Sequence, residues 1–258
     1  MNARSYLRAI DDLVLKALGP KWLVNRQPLG IAKDLEWFLR NVDGSGRTIL
    51  DLGCGGGAVC FALAIAGHTV TGIDLERSAR NLARRYSMTQ GRMPGTIASI
   101  PWDLRRLDEC GLPSEFDCVI ASEVIEHIMD DEKFVRDLAK LIRPGGILLL
   151  ATPYKLYHRL VADRLSDWED GGHVRWGYTE EDLRGLLEPN GLRIEKVTYI
   201  SGWVTQLLIN LGRYAQQVFP FGELAVMVGA YPLRVFTFCD KMIPYAPLAI
   251  AVKARKEC

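Results

Sequence analysis

From about residue 48 onward, short apolar runs alternate with stretches in which apolar residues recur at helical spacing. This alternation is typical of an α/β domain built on a largely parallel sheet. The runs predict seven strands: Thr48–Leu52, His68–Asp74, Thr96–Ile100, Phe116–Ala121, Gly145–Thr152, Arg193–Ile200 and Leu248–Lys253. The fifth run is almost wholly apolar, as expected for a strand covered by helices on both faces.

Helical patterns occupy several intervals between these strands. The predicted helices are Ala58–Ala66, Ser78–Ser87, Asp131–Leu141 and one that begins at Thr179. Gly67 ends the first of them, and Thr179 is of the type that caps a helix N-terminus. The helix after Thr179 is expected to stop at the Pro189-Asn190-Gly191 turn.

Residues 1–45 predict a helical cap at the N-terminal end of a single domain covering residues 1–258. The first helix carries Tyr6, Ile10, Val14 and Leu18 near one face. Its many charges exclude the apolar core of a secretion signal. Six scattered cysteines without a C-x-x-C pair favour a reduced, cytoplasmic protein without a structural metal.

An unusually apolar stretch, residues 201–247, precedes the last strand. Two apolar sets mark it: Trp203, Leu207, Leu208 and Leu211 at helical spacing, then Phe219, Phe221, Leu224, Val228 and Tyr231. Three interpretations are open: core helices, a lid over an apolar substrate, or a surface that contacts a membrane. The lid is favoured, because only Arg213, Arg234 and Lys241 are basic there, too few for strong attraction to anionic lipid.

The composition argues against some classes of binding partner but does not identify one. The 258 residues are 48% hydrophobic and 24% charged, with a formal net charge of +1. This balance gives no support to a nucleic-acid partner. The longest uncharged run, Val197 to Gly212, is shorter than the roughly 18 apolar residues that a membrane span needs.

The stretch LDLGCGGG follows the first predicted strand and has the form of a cofactor loop. Read from Gly53, its G-x-G-x-x-A spacing fits a dinucleotide loop as well as other cofactor loops. Asp51 places a carboxylate at the loop, which suits a cationic ligand better than a pyrophosphate. Asp74, at the end of the second strand, could bind the ribose hydroxyls of NAD or of an adenosyl ligand.

Three further motifs decide between these ligands. Together with the loop, GIDLE, FDCVIASEVIEHI and LIRPGGILLLATP follow one another in order between Thr48 and Glu195. In this order they resemble the class I S-adenosylmethionine-dependent methyltransferases, and most of all the small-molecule branch that includes ubiquinone-biosynthesis O-methyltransferases. The resemblance implies a Rossmann-like seven-stranded sheet with its last strand antiparallel and helices on both faces.

The resemblance also implies particular contacts with S-adenosylmethionine. Gly53, Cys54 and Gly55 would pass close to its methionine part, Asp51 would order its amino group, and Asp74 would accept from the ribose hydroxyls. Leu75 would cover the adenine, and Asp103 would accept from the adenine amino group. Ser122 and Glu123 would lie beside the sulfonium.

Two histidines are candidate catalytic residues. His127 and His173 could each remove a proton from the acceptor, or could be structural residues of their loops. With His68 and His158 they form no recognisable ligand cluster with carboxylates, so no metal site is predicted. The expected activity is in-line methyl transfer to a small, hydrophobic acceptor at oxygen or nitrogen.

Two rival functions remain. A catalytically silent binding protein could keep the same fold, although its cofactor loop would then be free to decay. An NAD-dependent oxidoreductase would explain the loop and Asp74, but it leaves Asp51 and the Ser122–Ile128 motif without a role. The chain also has no Tyr-x-x-x-Lys pair for that chemistry.

Overall fold

The computed structural model describes residues 3–25, 27, 29–113, 115–157, 164–218 and 234–257, with side chains described for these except 3–9, 212–218, 234–235 and 241. The second apolar set of residues 201–247 and His158 therefore lie outside the described residues. The strands are β1 Thr48–Leu52, β2 Thr69–Asp74, β3 Thr96–Pro101, β4 Phe116–Ser122, β5 Ile142–Pro153, β6 Leu192–Ile200 and β7 Ala249–Lys256. The helices are α1 Ala3–Leu18, α2 Lys21–Asn25, α3 Leu29–Asn41, α4 Ala58–Ile65, α5 Glu76–Thr89, α6 Asp131–Leu141, α7 Glu180–Leu187 and α8 Trp203–Val218.

The seven strands form one sheet in the order β3-β2-β1-β4-β5-β7-β6. β7 pairs antiparallel with both β5 and β6, and the pairs from β3 to β5 are parallel. The predicted sheet is confirmed, and each strand lies within a few residues of its expected bounds. Because β6 therefore runs in the direction of β5, the carboxyl ends of β1, β2, β4, β5 and β6 share one edge.

Helices cover both faces of the sheet. One apolar core joins β-strand side chains to α6 and α7, through Phe134, Leu138, Leu183 and Leu187. The second joins the opposite face to the N-terminal helices, α4 and α5. Thr179 caps α7 as predicted: its side chain accepts from the N–H of Asp182, whose side chain accepts from the N–H of Thr179.

The buried face of α1 differs from its predicted apolar face. Ile10 and Leu18 are exposed, whereas Leu15 is buried. Asp11 and Asp12 face the protein instead, because their carboxylates pair with arginines of α5. Ion pairing with a helix distant in sequence therefore overrides the apolar periodicity of α1.

The predicted apolar face of α8 is also divided. Leu208 is buried, but Trp203, Leu207 and Leu211 are exposed, so these three side chains are not core. Thr205 and Gln206 are buried in their place, with Gln206 Nε2 donating to the carbonyl oxygens of Ser201 and Ala246. None of the described helices is both long and apolar enough to cross a membrane.

Candidate active site

Hydrogen bonds join the glycine loop, which lies between β1 and α4, to the end of β2. The N–H groups of Gly53 and Cys54 donate to the carbonyl oxygen of Ile73 at 2.8 and 3.0 Å. Gly53 has a φ of +72°, and an added Cβ would lie 2.4 Å from Cγ2 of Val124. Glycine is therefore required there by backbone conformation and by Val124, before any ligand is considered.

The next glycine faces open space. Gly55 has a φ of +50°, and the atom nearest to an added Cβ is the carbonyl oxygen of Gly53, 3.9 Å away. A side chain at Gly55 would fill this space, so the loop is a cradle that leaves room for a ligand close to backbone. That property fits the methionine part of the cofactor.

Asp74 connects this loop to the end of β2. Its Oδ2 accepts from the N–H of Gly55 and its Oδ1 from the N–H of Leu75, both at 2.7 Å. Each carboxylate oxygen keeps a further lone pair, so both can still accept from the two hydroxyls of a ribose. The Leu75 side chain beside it is 60% exposed, an apolar surface suited to a flat base. The site therefore fits an adenosyl group.

Asp51 is more deeply placed than its sequence position indicated. It lies within β1, 1% exposed, and its Oδ2 accepts from the Cys60 thiol of α4 at 3.1 Å. Burial raises the pKa of Asp51 to about 7, opposed by the bond from Cys60 and assisted by the charge of Asp74. A nearby ammonium group would favour the ionised form of Asp51. The contact between Asp51 and the amino group of the cofactor stays a prediction.

The carboxylate of Asp103 is already engaged in the structure. It binds the guanidinium of Arg105, with Nε–O distances of 2.8 and 2.9 Å, and caps a 3-10 helix, Leu104–Glu109. The ion pair with Arg105 lowers the pKa of Asp103. Arg105 also donates to Glu169. The amino group of an adenine would therefore compete with Arg105 for the carboxylate oxygens of Asp103.

Ser122 and Glu123 occupy the carboxyl end of β4. Ser122 is the last residue of the strand, and the N–H of Glu123 donates to the carbonyl oxygen of Ala151 on β5 at 2.9 Å. Glu123 has a φ of +53°, an unfavourable conformation for a residue other than glycine. Such strain is concentrated at functional sites. The predicted position of both residues at this edge is consistent with a role beside the reacting group.

A buried carboxylate follows this turn. Glu126 is fully buried; its Oε2 accepts from the Thr152 hydroxyl at 3.1 Å, and its Oε1 has no hydrogen-bond partner within the part of the chain that the structure describes. Burial raises its pKa to about 6. Asp34 of α3, also buried, has a pKa raised to about 7 by burial and by the charge of Glu126. Sequence reasoning missed Asp34, whose only signal was an acid within the apolar pattern of α3.

The two candidate histidines meet next to Glu126. The ring centroids of His127 and His173 are 4.7 Å apart. His127 Nδ1 lies 3.0 Å from the carbonyl oxygen of Gly172. A carbonyl only accepts, so we assign the proton of neutral His127 to Nδ1, which leaves the lone pair on Nε2. That nitrogen lies 3.9 Å from Oε1 of Glu126.

One atom from each of Glu126, His127 and His173 lies within 4.8 Å of the others, close enough for the three to hold a metal ion. The sequence showed no such ligand spacing, because His173 follows β5 whereas Glu126 and His127 follow β4. The absence of a metal site stays a prediction. Two other residues of the segment around His173 are structural. Arg175 donates to the carbonyl oxygens of Ile128 and Met129 and pairs with Asp131, to which the Tyr178 hydroxyl also donates.

Comparisons with known proteins agree with this geometry. A family model described as a methyltransferase domain matches residues 23–197. The mitochondrial ubiquinone biosynthesis O-methyltransferase of Rattus norvegicus is 32% identical over 164 residues, covering 59% of this chain and 46% of that protein. The corresponding enzyme of a Caulobacter species is 38% identical over 162 residues, 58% of this chain and 60% of its own. The chain thus spans about half the length of several curated relatives.

Among solved structures, phosphoethanolamine N-methyltransferase 2 of Haemonchus contortus, in complex with S-adenosyl-L-methionine, superposes with a TM-score of 0.59 at 20% identity. The similarity covers 88% of this chain and 53% of that one. At this level of identity the likeness shows a shared fold.

Proposed function

Since the family match covers more than half of its residues, the chain belongs to the class I S-adenosylmethionine-dependent methyltransferases, and we propose that it methylates a small, apolar acceptor at oxygen or nitrogen. One observation carries the proposal. The ribose-type site of Asp74 and the His127 Nε2 lone pair stand at the same carboxyl edge of the sheet, after β2 and β4 respectively. A cofactor site and a proton acceptor therefore share one edge.

S-adenosylmethionine, when bound, supplies an electrophilic methyl group and leaves as a neutral thioether. The chain has to position the acceptor in line with that group, exclude water, and remove a proton if the acceptor is a hydroxyl or ammonium. His127 Nε2 suits the proton, because its other nitrogen is held by Gly172. Among the described residues Oε1 of Glu126 has no hydrogen-bond partner, so it suits a hydrogen bond from a second N–H of a nitrogen acceptor; a hydroxyl has only the proton that His127 would take.

The apolar character of the acceptor is inferred from α8. This helix begins directly after β6, at the edge that carries the site, and exposes Trp203, Leu207 and Leu211. An apolar helical surface at this edge of the sheet suits a lid over a hydrophobic molecule. The ubiquinone-type names of the relatives agree with such an acceptor, without assigning one.

The test is to incubate the protein with methyl-labelled S-adenosylmethionine and a cell extract, then to partition the products between organic and aqueous phases. Label in the organic phase supports an apolar acceptor, and label confined to water contradicts it. Parallel reactions with EDTA and with added Zn²⁺ show whether turnover depends on a metal ion, as a metal site of Glu126, His127 and His173 would require. Binding of NAD without binding of S-adenosylmethionine would favour the oxidoreductase. Cofactor binding without turnover would favour the silent protein.

A further inference from the structure

Three arginines, two on α5 and one in the turn that follows it, bond the N-terminal helix α1. Arg84 pairs with Asp12, Arg85 Nη2 lies 3.2 Å from Oδ2 of Asp11, and Arg92 Nη1 donates to the carbonyl oxygen of Lys16 at 2.6 Å. The side chains of the Arg85–Asp11 pair are only 17% and 18% exposed. Partly buried pairs of this kind are screened less by solvent than surface pairs.

Arg85 makes one contact that sets it apart from Arg84. Its Nη1 donates to the carbonyl oxygen of Gly56, inside the glycine loop, at 2.7 Å. An added Cβ at Gly56 would lie 3.2 Å from the same nitrogen, so Arg85 packs closely against the loop. The planar guanidinium fork allows one side chain to bond the loop with one nitrogen and Asp11 with another.

From this geometry we infer that Asp11, Arg85 and Gly56 form a clamp that couples docking of α1 to cofactor binding, with Arg85 as a positioning residue for the glycine loop. The cofactor part of this inference rests on the proposed function. Asp11 orients the guanidinium and balances its charge, and the guanidinium holds the Gly56 carbonyl. By reciprocity, a cofactor that orders the loop also favours the docked position of α1.

The neighbouring pair provides a matched control. Arg84 and Asp12 join the same two helices, one position before Arg85 on α5 and one position after Asp11 on α1. Among the described residues no hydrogen bond runs from Arg84 to the glycine loop. Loss of either arginine weakens the α1–α5 interface. Only loss of Arg85 also releases Gly56, so a difference between the two variants isolates the clamp from packing.

The experiment measures the affinity of S-adenosylhomocysteine calorimetrically for the wild type, Arg85→Ala, Arg85→Lys and Arg84→Ala. Arg85→Ala is expected to weaken binding about 10-fold, within the usual range of coupling between sites. Arg85→Lys should recover part of the loss, because an ammonium can still donate to Gly56 but has no fork. Arg84→Ala should change the affinity less than about 2-fold while lowering the melting temperature in a similar way.

Hydrogen exchange in the absence of cofactor tests the contact between Arg85 and the glycine loop by itself. In the free protein, Arg85→Ala should accelerate exchange of the amides of residues 54–57, whereas Arg84→Ala should not. With cofactor, amides of residues 3–18 should gain protection in the wild type and in Arg84→Ala but not in Arg85→Ala. Equal loop exchange in both variants, or equal loss of affinity, overturns the clamp. If the wild type binds no cofactor, the proposed function and the coupling are both overturned. The contact between Arg85 and the loop would still stand if loop exchange differed between Arg85→Ala and Arg84→Ala.

Discussion

The carboxylate of Asp74 accepts a 2.7 Å hydrogen bond from the N–H of Gly55, so one side chain joins the end of β2 to the loop after β1. The same carboxylate accepts from its neighbour Leu75, which leaves both oxygens in one fixed orientation. A ribose bound here, as predicted, would meet acceptor oxygens that are already in place. Preformed geometry reduces the ordering cost of binding.

Asp74→Asn should weaken cofactor binding by at least about 10-fold. An amide offers one acceptor oxygen, so its NH₂ group would oppose either the Gly55 or the Leu75 N–H, and mispairing costs about 1–3 kcal/mol. Calorimetric titration with S-adenosylhomocysteine measures the change. Asp130→Asn is the control, because asparagine caps a helix as well as the aspartate that now caps α6. Wild-type affinity in Asp74→Asn would show that the carboxylate does not bind the ligand.

Gly53→Ala should reduce the free energy of unfolding by more than Gly46→Ala. Both glycines have positive φ, which costs a non-glycine residue about 1–2 kcal/mol. Only at Gly53 would the new Cβ also meet Val124; at Gly46 no atom lies within 4 Å. Overpacking of this kind adds about 1–3 kcal/mol. Urea denaturation compares the two, and equal losses would mean that Val124 moves aside freely.

His127→Asn separates proton removal from support of the loop. The asparagine amide can still donate to the carbonyl of Gly172, as Nδ1 does now, but no basic nitrogen remains. If His127 is the general base, turnover should fall by about 10²–10⁴ with little change in cofactor affinity. Single-turnover assays with labelled cofactor measure this. Near wild-type turnover would assign His127 a structural role only.

Three buried carboxyl groups should make the ligand-free protein less stable as the pH rises from about 4 to about 7, and they outnumber His68, whose pKa is lowered by burial and which acts in the opposite direction. Burial raises the pKa of Asp34 and Asp51 to about 7 and that of Glu126 to about 6. In this window the folded protein retains protons that the unfolded chain has released, so the free energy of unfolding falls with increasing pH. Denaturation at pH 5 and 7.5 measures the difference.

Asp51→Asn should make that difference smaller, because an amide does not titrate. Asp117→Asn is the control: its pKa is lowered by bonds from Thr48 and Arg143 despite partial burial, so Asp117 is ionised at both pH values. Asp117→Asn should therefore reduce the free energy of unfolding by the same amount at both pH values. Stability that increases from pH 5 to 7.5 would contradict the raised values.

Two neighbouring leucines of α8 test the lid. Leu208→Ala should cost about 2–5 kcal/mol because Leu208 is buried, whereas Leu207→Gln should stay within about 0.5 kcal/mol. If the exposed face covers the acceptor, Leu207→Gln should still raise the KM for an apolar acceptor at unchanged cofactor affinity. An unchanged KM would remove this face from the acceptor site.

Local sequence pattern determined the seven strands to within a few residues and the capped start of α7, whereas the antiparallel last strand was implied by the resemblance to methyltransferases. Those features depend on residues close together in the chain: an apolar run for a covered strand, and Thr179 with Asp182 for the cap. The glycine loop and Asp74 were likewise readable, since one adjoins a strand end and the other ends the next strand. Their positions follow from the parallel order of β1 and β2.

Only the tertiary structure decided which polar groups are buried and which loops meet. Apolar periodicity alone did not identify the buried residues of α1 and α8: Asp11 and Asp12 face α5 through ion pairs, and Gln206 is buried by bonds to backbone carbonyl oxygens. The approach of His173 to His127 depends on two loops that leave different strands. No local pattern encodes such a distance, since it is set by how the whole chain packs at the edge of the sheet.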